Sequence, residues 1–291
     1  MAETGLKAII VGISGPSSSG KTTLARLLRD VFPQTFILHE DDFYRPEEEL
    51  PSKDGLLDWD CAEAINFDEM ARALEHIRTE GTFPPFVDSR EDQNTVGKCT
   101  VPEAAIRAAR ARVEAWLAPD LGGGGGAGTG GARARLASRS LRLCLVDGFL
   151  LYGRDPPLRR LTDELLDVKL FLTVSRRRAT ARRAARDGYV TLEGFWTDPP
   201  GYVEKIVWPN YAASHAWLFE DGDVEKRLRA DVLKENDILA LPGVIRGGGS
   251  GESAAGGGED GEGLDVDMQT TFEWAVDSLM RKLKEFTMSE Q

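Results

Sequence analysis

The chain has 291 residues, a formal charge of −12 and 41% apolar residues. That apolar share is enough to build an ordinary core, the acidic balance disfavours broad nucleic-acid binding, and no apolar run reaches the roughly 18 residues needed to cross a membrane. The cysteines (Cys61, Cys99, Cys144) are sparse and odd in number, and the histidines (His39, His76, His215) are scattered away from zinc spacing, so a reduced protein of the cytoplasm, with the nucleus also open, is expected.

In chain order, Lys7 to Ile13 (KAIIVGI) is a short β-branched run typical of a buried parallel strand. Thr22 to Val31 repeats apolar residues at helical spacing, and Thr35 to His39 (TFILH) predicts a second strand. Asn66 to Arg78 predicts a helix. Leu141 to Val146 and Val168 to Val174 predict two more strands, Arg176 to Arg186 a basic helix, and Asp237 to Leu241 a weaker strand. Thr270 to Phe286 predicts an amphipathic helix with Phe272, Val276, Leu279, Leu283 and Phe286 on one face. Strands alternating with helices imply an α/β fold with a parallel sheet covered on both sides. The Gly-rich runs 122–131 and 247–263 cannot bury a core. They place a flexible insert at 121–135 and a linker at 246–263 within a single domain spanning 1–291.

Gly15-Pro-Ser-Ser-Ser-Gly-Lys-Thr22 matches G-x-x-x-x-G-K-[ST] between a strand and a helix, the P-loop arrangement. By composition, a chance match in a chain this long is on the order of one in a hundred. Gly15 and Gly20 let the backbone wrap phosphate oxygens, with Ser17, Ser18, Ser19 and Thr23 lining the cradle at the helix's positive end. Lys21 would reach the β- and γ-phosphates and the Thr22 hydroxyl would ligate Mg²⁺, so ATP and Mg²⁺ are the expected cofactors. GTPases carry the same loop, but a guanine-reading N-K-x-D is absent. The D-x-x-G at Asp198 to Gly201 has no preceding strand and is read as coincidence.

Ligands of parallel α/β sheets gather at the carboxyl ends of the strands. Asp41 and Asp42 follow TFILH, Asp147 follows LRLCLV, and Asp58 and Asp60 lie in LLDWDC. Transfer to an alcohol needs a carboxylate that accepts the hydroxyl proton; Asp42 is assigned that role, with Thr22, Asp42 and Asp147 around the metal. The stretch from Arg176 to Arg186 packs six arginines into eleven residues. A solvated helix face explains many such runs; after a late strand in an acidic chain it suits a lid over triphosphate, with Arg182 and Arg186 on the nucleotide.

GISGPSSSGKTTLA, HEDDFYRP, LLDWDCAEAIN, LVDGFLLY, DPPGY and VWPNY occur in that order from Gly12 to Tyr211. With these motifs the sequence resembles the nicotinamide riboside kinases and, more distantly, the uridine kinase group. The resemblance implies a P-loop kinase fold with a lid. It also implies ATP-dependent phosphorylation of the 5′-hydroxyl of nicotinamide riboside, with nicotinic acid riboside as a second substrate, in NAD salvage. Asp42 then resembles the family's base, and Asp60 the aspartate that holds ribose hydroxyls. Trp59, at a position usually tyrosine, and Tyr189 match the aromatics that stack on the base, and Arg183 matches the lid arginine on the ribose. Asp147 stands where the family often has Glu. The lid segment Tyr189 to Trp196 and an insert near Pro84 to Leu136 depart from the shortest members. The implied partner is a small nucleoside, without nucleic acid or membrane; oligomeric state is left open. A uridine or cytidine kinase, or a nucleotide-binding regulator without turnover, are the rival readings.

Overall fold

The computed structural model describes residues 6–89, 97, 99–118, 131–186, 188–191, 194–241 and 264–288. The runs expected to be flexible, 122–131 and 247–263, lie outside the described residues apart from Gly131. Strands β1 (Ala8–Ser14), β2 (Thr35–His39), β3 (Arg142–Asp147), β4 (Val168–Phe171) and β5 (Ile238–Ala240) form one sheet in the order β2-β3-β1-β4-β5. Every neighbouring pair is parallel. The α/β fold with a covered parallel sheet and a P-loop is therefore the fold observed.

The strands are mostly apolar because both faces are covered, with polar residues such as Arg142, His39 and Asp147 at their ends. In β1, Ala8 and Ile10 enter one core while Ile9, Val11 and Ile13 enter the other; in β3, Cys144 and Val146 part from Leu143 and Leu145 in the same way. The covering layers are drawn from α1 (Lys21–Val31), α2 (Phe67–Glu80), α3 (Glu103–Leu117), α4 (Arg176–Ala184), α5 (Trp208–His215) and α6 (Met268–Met288). Asn66 caps α2 by accepting from the Glu69 N–H at 3.2 Å, and Gly81, at φ +69°, ends it. On α6 the expected face is the buried one: Phe272, Val276, Leu279 and Leu283 are fully enclosed, with Phe286 packed at the edge.

The insert near Pro84 to Leu136 contains α3, whose Ala109 and Val113 are buried beside α1 and α6. Two expectations need correction. Residues 132–135, read as part of a flexible run, begin a short helix, Ala132–Ala137, because Ala132 and Leu136 seal the same core. Strand β4 stops at Phe171, short of the expected Val174, because the chain turns to make Ser175 the N-cap of α4, where its Oγ accepts from the Arg178 N–H at 3.3 Å.

Asp147 sits opposite both Ile13 and His39 in the sheet register. The carboxyl ends of β1, β2 and β3 are therefore level, and the loops beyond them open onto one cleft.

Candidate active site

Beyond β1 the chain turns through Gly15 (φ +143°) and Gly20 (φ +103°) into α1. A Cβ on Gly15 would lie 2.3 Å from the Leu172 backbone oxygen, so both conformation and space demand glycine. No side chain caps α1, which leaves its first N–H groups available to an anion. Lys21 is buried and its Nζ donates to the Pro16 carbonyl at 3.1 Å. Burial lowers its pKa, while Asp147, Asp41 and Glu40 act in the opposite sense. The Ser18 and Ser19 hydroxyls are buried with no hydrogen-bond partner, a deficit that phosphate oxygens would remove. Arg182 donates from Nη1 to the Ser18 carbonyl at 3.0 Å, bracing the loop. Gly15→Ala is expected to strain the loop by about 1–3 kcal/mol and to abolish stabilisation by ADP. Thermal melts with and without ADP check this, and an unaltered ADP-dependent rise would contradict it.

At the strand ends, His39 Nδ1 donates to Asp147 Oδ2 at 3.3 Å, and the Thr22 hydroxyl bonds the same carboxylate. Burial opposes the Asp147 charge, but His39, Lys21 and Thr22 together hold its carboxyl below its ordinary pKa. The 3₁₀ turn Glu40–Phe43 brings Asp41 and Asp42 to the cleft wall. Thr22, Asp42 and Asp147 line the same cleft, an all-oxygen set of the kind Mg²⁺ takes alongside substrate phosphates. Glu40 points elsewhere: its Oε2 accepts from the N–H groups of Phe149 (2.6 Å) and Leu150 (3.0 Å). Burial, with Asp41 adding to it, pushes the Glu40 carboxyl up to about 8.

Another part of the cleft is built around Arg183. Its Nη1 and Nη2 donate to the two Asp60 oxygens at 3.1 and 3.2 Å, its Nε to Asp198 Oδ2 at 2.6 Å, and its Nη1 also to Ser17 Oγ at 2.9 Å. The guanidinium carbon lies 5.1 Å from the Tyr189 ring centre and 5.6 Å from that of Tyr202. Burial works against this cation, and Asp60, Tyr189 and Asp198 outweigh it, so its pKa is held well above the ordinary value. Trp196, on the hairpin formed by Tyr189–Thr191 and Gly194–Trp196, donates from Nε1 to Asp198 Oδ1 at 3.1 Å. Asp58 is bonded by Asn210 Nδ2 at 2.8 Å and by the Asp60 N–H at 3.1 Å. Trp59 is only 7% exposed. Tyr44 meets it edge-on at 5.2 Å and Trp196 lies 5.7 Å away, while its backbone N–H donates to the Tyr202 hydroxyl at 3.0 Å. Arg186 reaches the Tyr189 hydroxyl at 3.1 Å.

No family model matches the chain. Nicotinamide riboside kinase of Schizosaccharomyces pombe is 39% identical over 222 residues, covering 76% of this chain and 85% of that one. The protein of the same name from Eremothecium gossypii is 36% identical, covering 78% and 84%, and that of Saccharomyces cerevisiae is 29% identical, covering 81% and 88%. The chain belongs to the nicotinamide riboside kinase family. In this nicotinamide riboside kinase relative, one cleft gathers Ser17, Ser18, Gly20, Lys21, Thr22, Thr23, Asp42, Trp59, Asp60, Asp147, Arg183, Arg186 and Tyr189. Gly15, Ser19 and Arg182 are not on its surface. Sequence reasoning gave no site role to His39, Glu40, Tyr44, Phe149, Trp196, Asp198 or Tyr202, although Trp196 fell in the expected lid segment and Asp198 in the DPPGY motif. The hint for Asp198 was its place in DPPGY, next to aromatic residues in a chain rich in lid arginines.

Proposed function

We propose that the protein is an ATP-dependent kinase that phosphorylates the 5′-hydroxyl of nicotinamide riboside, and of nicotinic acid riboside as a second substrate, to the mononucleotide used in NAD salvage. The observation that carries this reading is the make-up of one cleft. A P-loop with unsatisfied serine hydroxyls meets a carboxylate–guanidinium pair, Asp60 with Arg183, set among aromatic rings, and Arg183 touches the loop at Ser17 Oγ. The relatives' shared name points to the same substrate.

Lys21 and the backbone of the loop hold the β- and γ-phosphates. Thr22, Asp147 and Asp42 would hold Mg²⁺, which would supply charge neutralisation on the transferring group. Asp42 accepts the proton of the attacking hydroxyl. Asp60 and Arg183 hold the ribose and so fix the 5′-hydroxyl in line with the phosphoryl group. Arg182 and Arg186, on the lid, face the nucleotide. Trp59 and Tyr189 present π-faces to a pyridinium ring, each contact adding roughly 0.5–2 kcal/mol for a cation. We read residues 1–291 as one kinase domain acting in the cytoplasm or nucleus. No helix among the described residues is long and apolar enough to cross a membrane.

The test is ADP release with Mg-ATP and a panel of nicotinamide riboside, nicotinic acid riboside, uridine and cytidine. The pyridine ribosides should lead in kcat/KM; a wide preference for uridine removes the proposed substrate. Trp59→Leu should lower kcat/KM for nicotinamide riboside by about fivefold, the worth of one cation–π contact of ~1 kcal/mol, and should spare uridine. An equal fall on all four substrates would rule out base selection by Trp59.

A further inference from the structure

Two loops carry the carboxylates of the proposed chemistry. One follows β2 with Asp41 and Asp42; the other follows β3, with Asp147 leading into Gly148. The two strands are paired as far as His39 opposite Asp147. Beyond that pair the ladder ends, and Glu40 begins where it stops. Glu40 has no exposed surface and is absent from the cleft lining. Its Oε2 reaches from the first loop to the second and accepts from two consecutive backbone N–H groups, Phe149 at 2.6 Å and Leu150 at 3.0 Å. Gly148 makes the approach possible, because a Cβ there would lie 2.7 Å from Glu40 Oε2 and 2.8 Å from Glu40 Cβ. The side chain thus takes the place of the next rungs of the ladder and ties the two loops together.

A buried acid is a costly way to fill space, and the two N–H groups it binds would themselves be left unsatisfied without it. Leu150 and Phe43 already join the two loops to one apolar core. What Glu40 adds is a directional link between the turn that bears Asp42 and the segment that follows Asp147.

We propose that Glu40 is a positioning residue: by clamping the Phe149 and Leu150 N–H groups it sets the placement of Asp147 relative to Asp42. This rests on the kinase reading above. Glu40 touches neither substrate nor nucleotide, and acts only through the backbone it holds.

Two variants of similar length separate acceptor from bulk. Glu40→Gln keeps a carbonyl oxygen for both N–H groups, whereas Glu40→Met fills the space with no such acceptor. The Gln variant should retain kcat within about threefold, since its net hydrogen bonding is preserved. The Met variant should lose about 10- to 100-fold in kcat, the scale of a misplacement near 1 Å, with riboside KM within about twofold because Asp60 and Arg183 are held by bonds to each other and to Asp198 and Ser17. Amide hydrogen exchange at Phe149 and Leu150 should be slow in the parent and the Gln variant and fast in the Met variant. If the Met variant does not fold, Glu40→Asp, one methylene short of both N–H groups, is judged by the same criteria. Near-parental kcat in the Met variant, a Gln variant as slow as Met, or a loss carried by riboside KM would each overturn the assignment. A parent that phosphorylates no riboside defeats the functional reading instead, and the exchange measurement still decides whether Glu40 clamps the two amides.

Discussion

Asp42→Asn is expected to lower kcat by about 10²-fold or more, the usual contribution of a positioned general base. The substitution keeps the shape of the side chain in the 3₁₀ turn Glu40–Phe43 and removes only its ability to take a proton. The turn itself is held independently, by the Asn66 N–H donating to the Phe43 carbonyl at 2.8 Å and by the Glu40 bonds to Phe149 and Leu150. Folding and nucleotide binding should therefore persist, with ADP affinity within about threefold because the loop's own N–H groups and Lys21 carry most of that binding. Steady-state kinetics with nicotinamide riboside, paired with ADP titration, measure both quantities. A variant that turns over within a few-fold of the parent would move the base to another group, and Asp41, which lines the same wall, would be the next to test.

Arg183→Ala should damage both stability and the use of every riboside. The side chain is 8% exposed. It is the cation that neutralises Asp60, itself buried, and the partly buried Asp198, so its removal leaves two carboxylates facing each other without it. Breaking a buried ion pair from one side costs about 3–5 kcal/mol, and each kcal/mol lowers the melting temperature of a chain of this size by about 2–4 °C. A fall near 10 °C is the expected result. Asp60→Ala provides the contrast. Arg183 keeps Asp198 in that variant, so the melting temperature should fall much less, while kcat/KM should drop for nicotinamide riboside, nicotinic acid riboside, uridine and cytidine alike, because the ribose hydroxyls they share lose their acceptor. If Asp60→Ala leaves all four substrates unaffected, the pair is structural and the ribose is held elsewhere. If Arg183→Ala melts with the parent, the ion pair is not the keystone of this wall.

The P-loop, the strands and the fold class were legible because each is written locally. Residues 8–13 are apolar and Ser14 is buried with them because both sheet faces are covered, and the Gly-Lys-Thr step that follows is a short motif whose glycines have a conformational reason to be there. The face of α6 was legible for the same kind of reason, since Phe272, Val276, Leu279 and Leu283 repeat at helical spacing. Helix α5 was not. It contains Pro209, continues the π-helical turn Val203–Val207, and buries aromatic residues, Trp208 and Tyr211, that carry no simple period. Helix α3 was hidden by its composition, rich in alanine and arginine with only Ala109 and Val113 fully inward.

The sequence by itself determined the phosphate loop, the strands and the helices of clear period, and the presence of acids at strand ends, because propensity, periodicity and turn chemistry act between near neighbours. The family resemblance singled out Arg183 among six arginines for the ribose, but only the tertiary structure decided that it pairs directly with Asp60. On one turn of helix, Arg182 is directed to the Ser18 carbonyl, and Arg183, about 100° further round, meets Asp60 across 123 residues of sequence and Asp198 across 15. Charged side chains carry no pattern that names a distant partner. The pairing follows from strand order, from the hairpin that folds Trp196 and Asp198 back over α4, and from the burial that makes an unmatched charge untenable there.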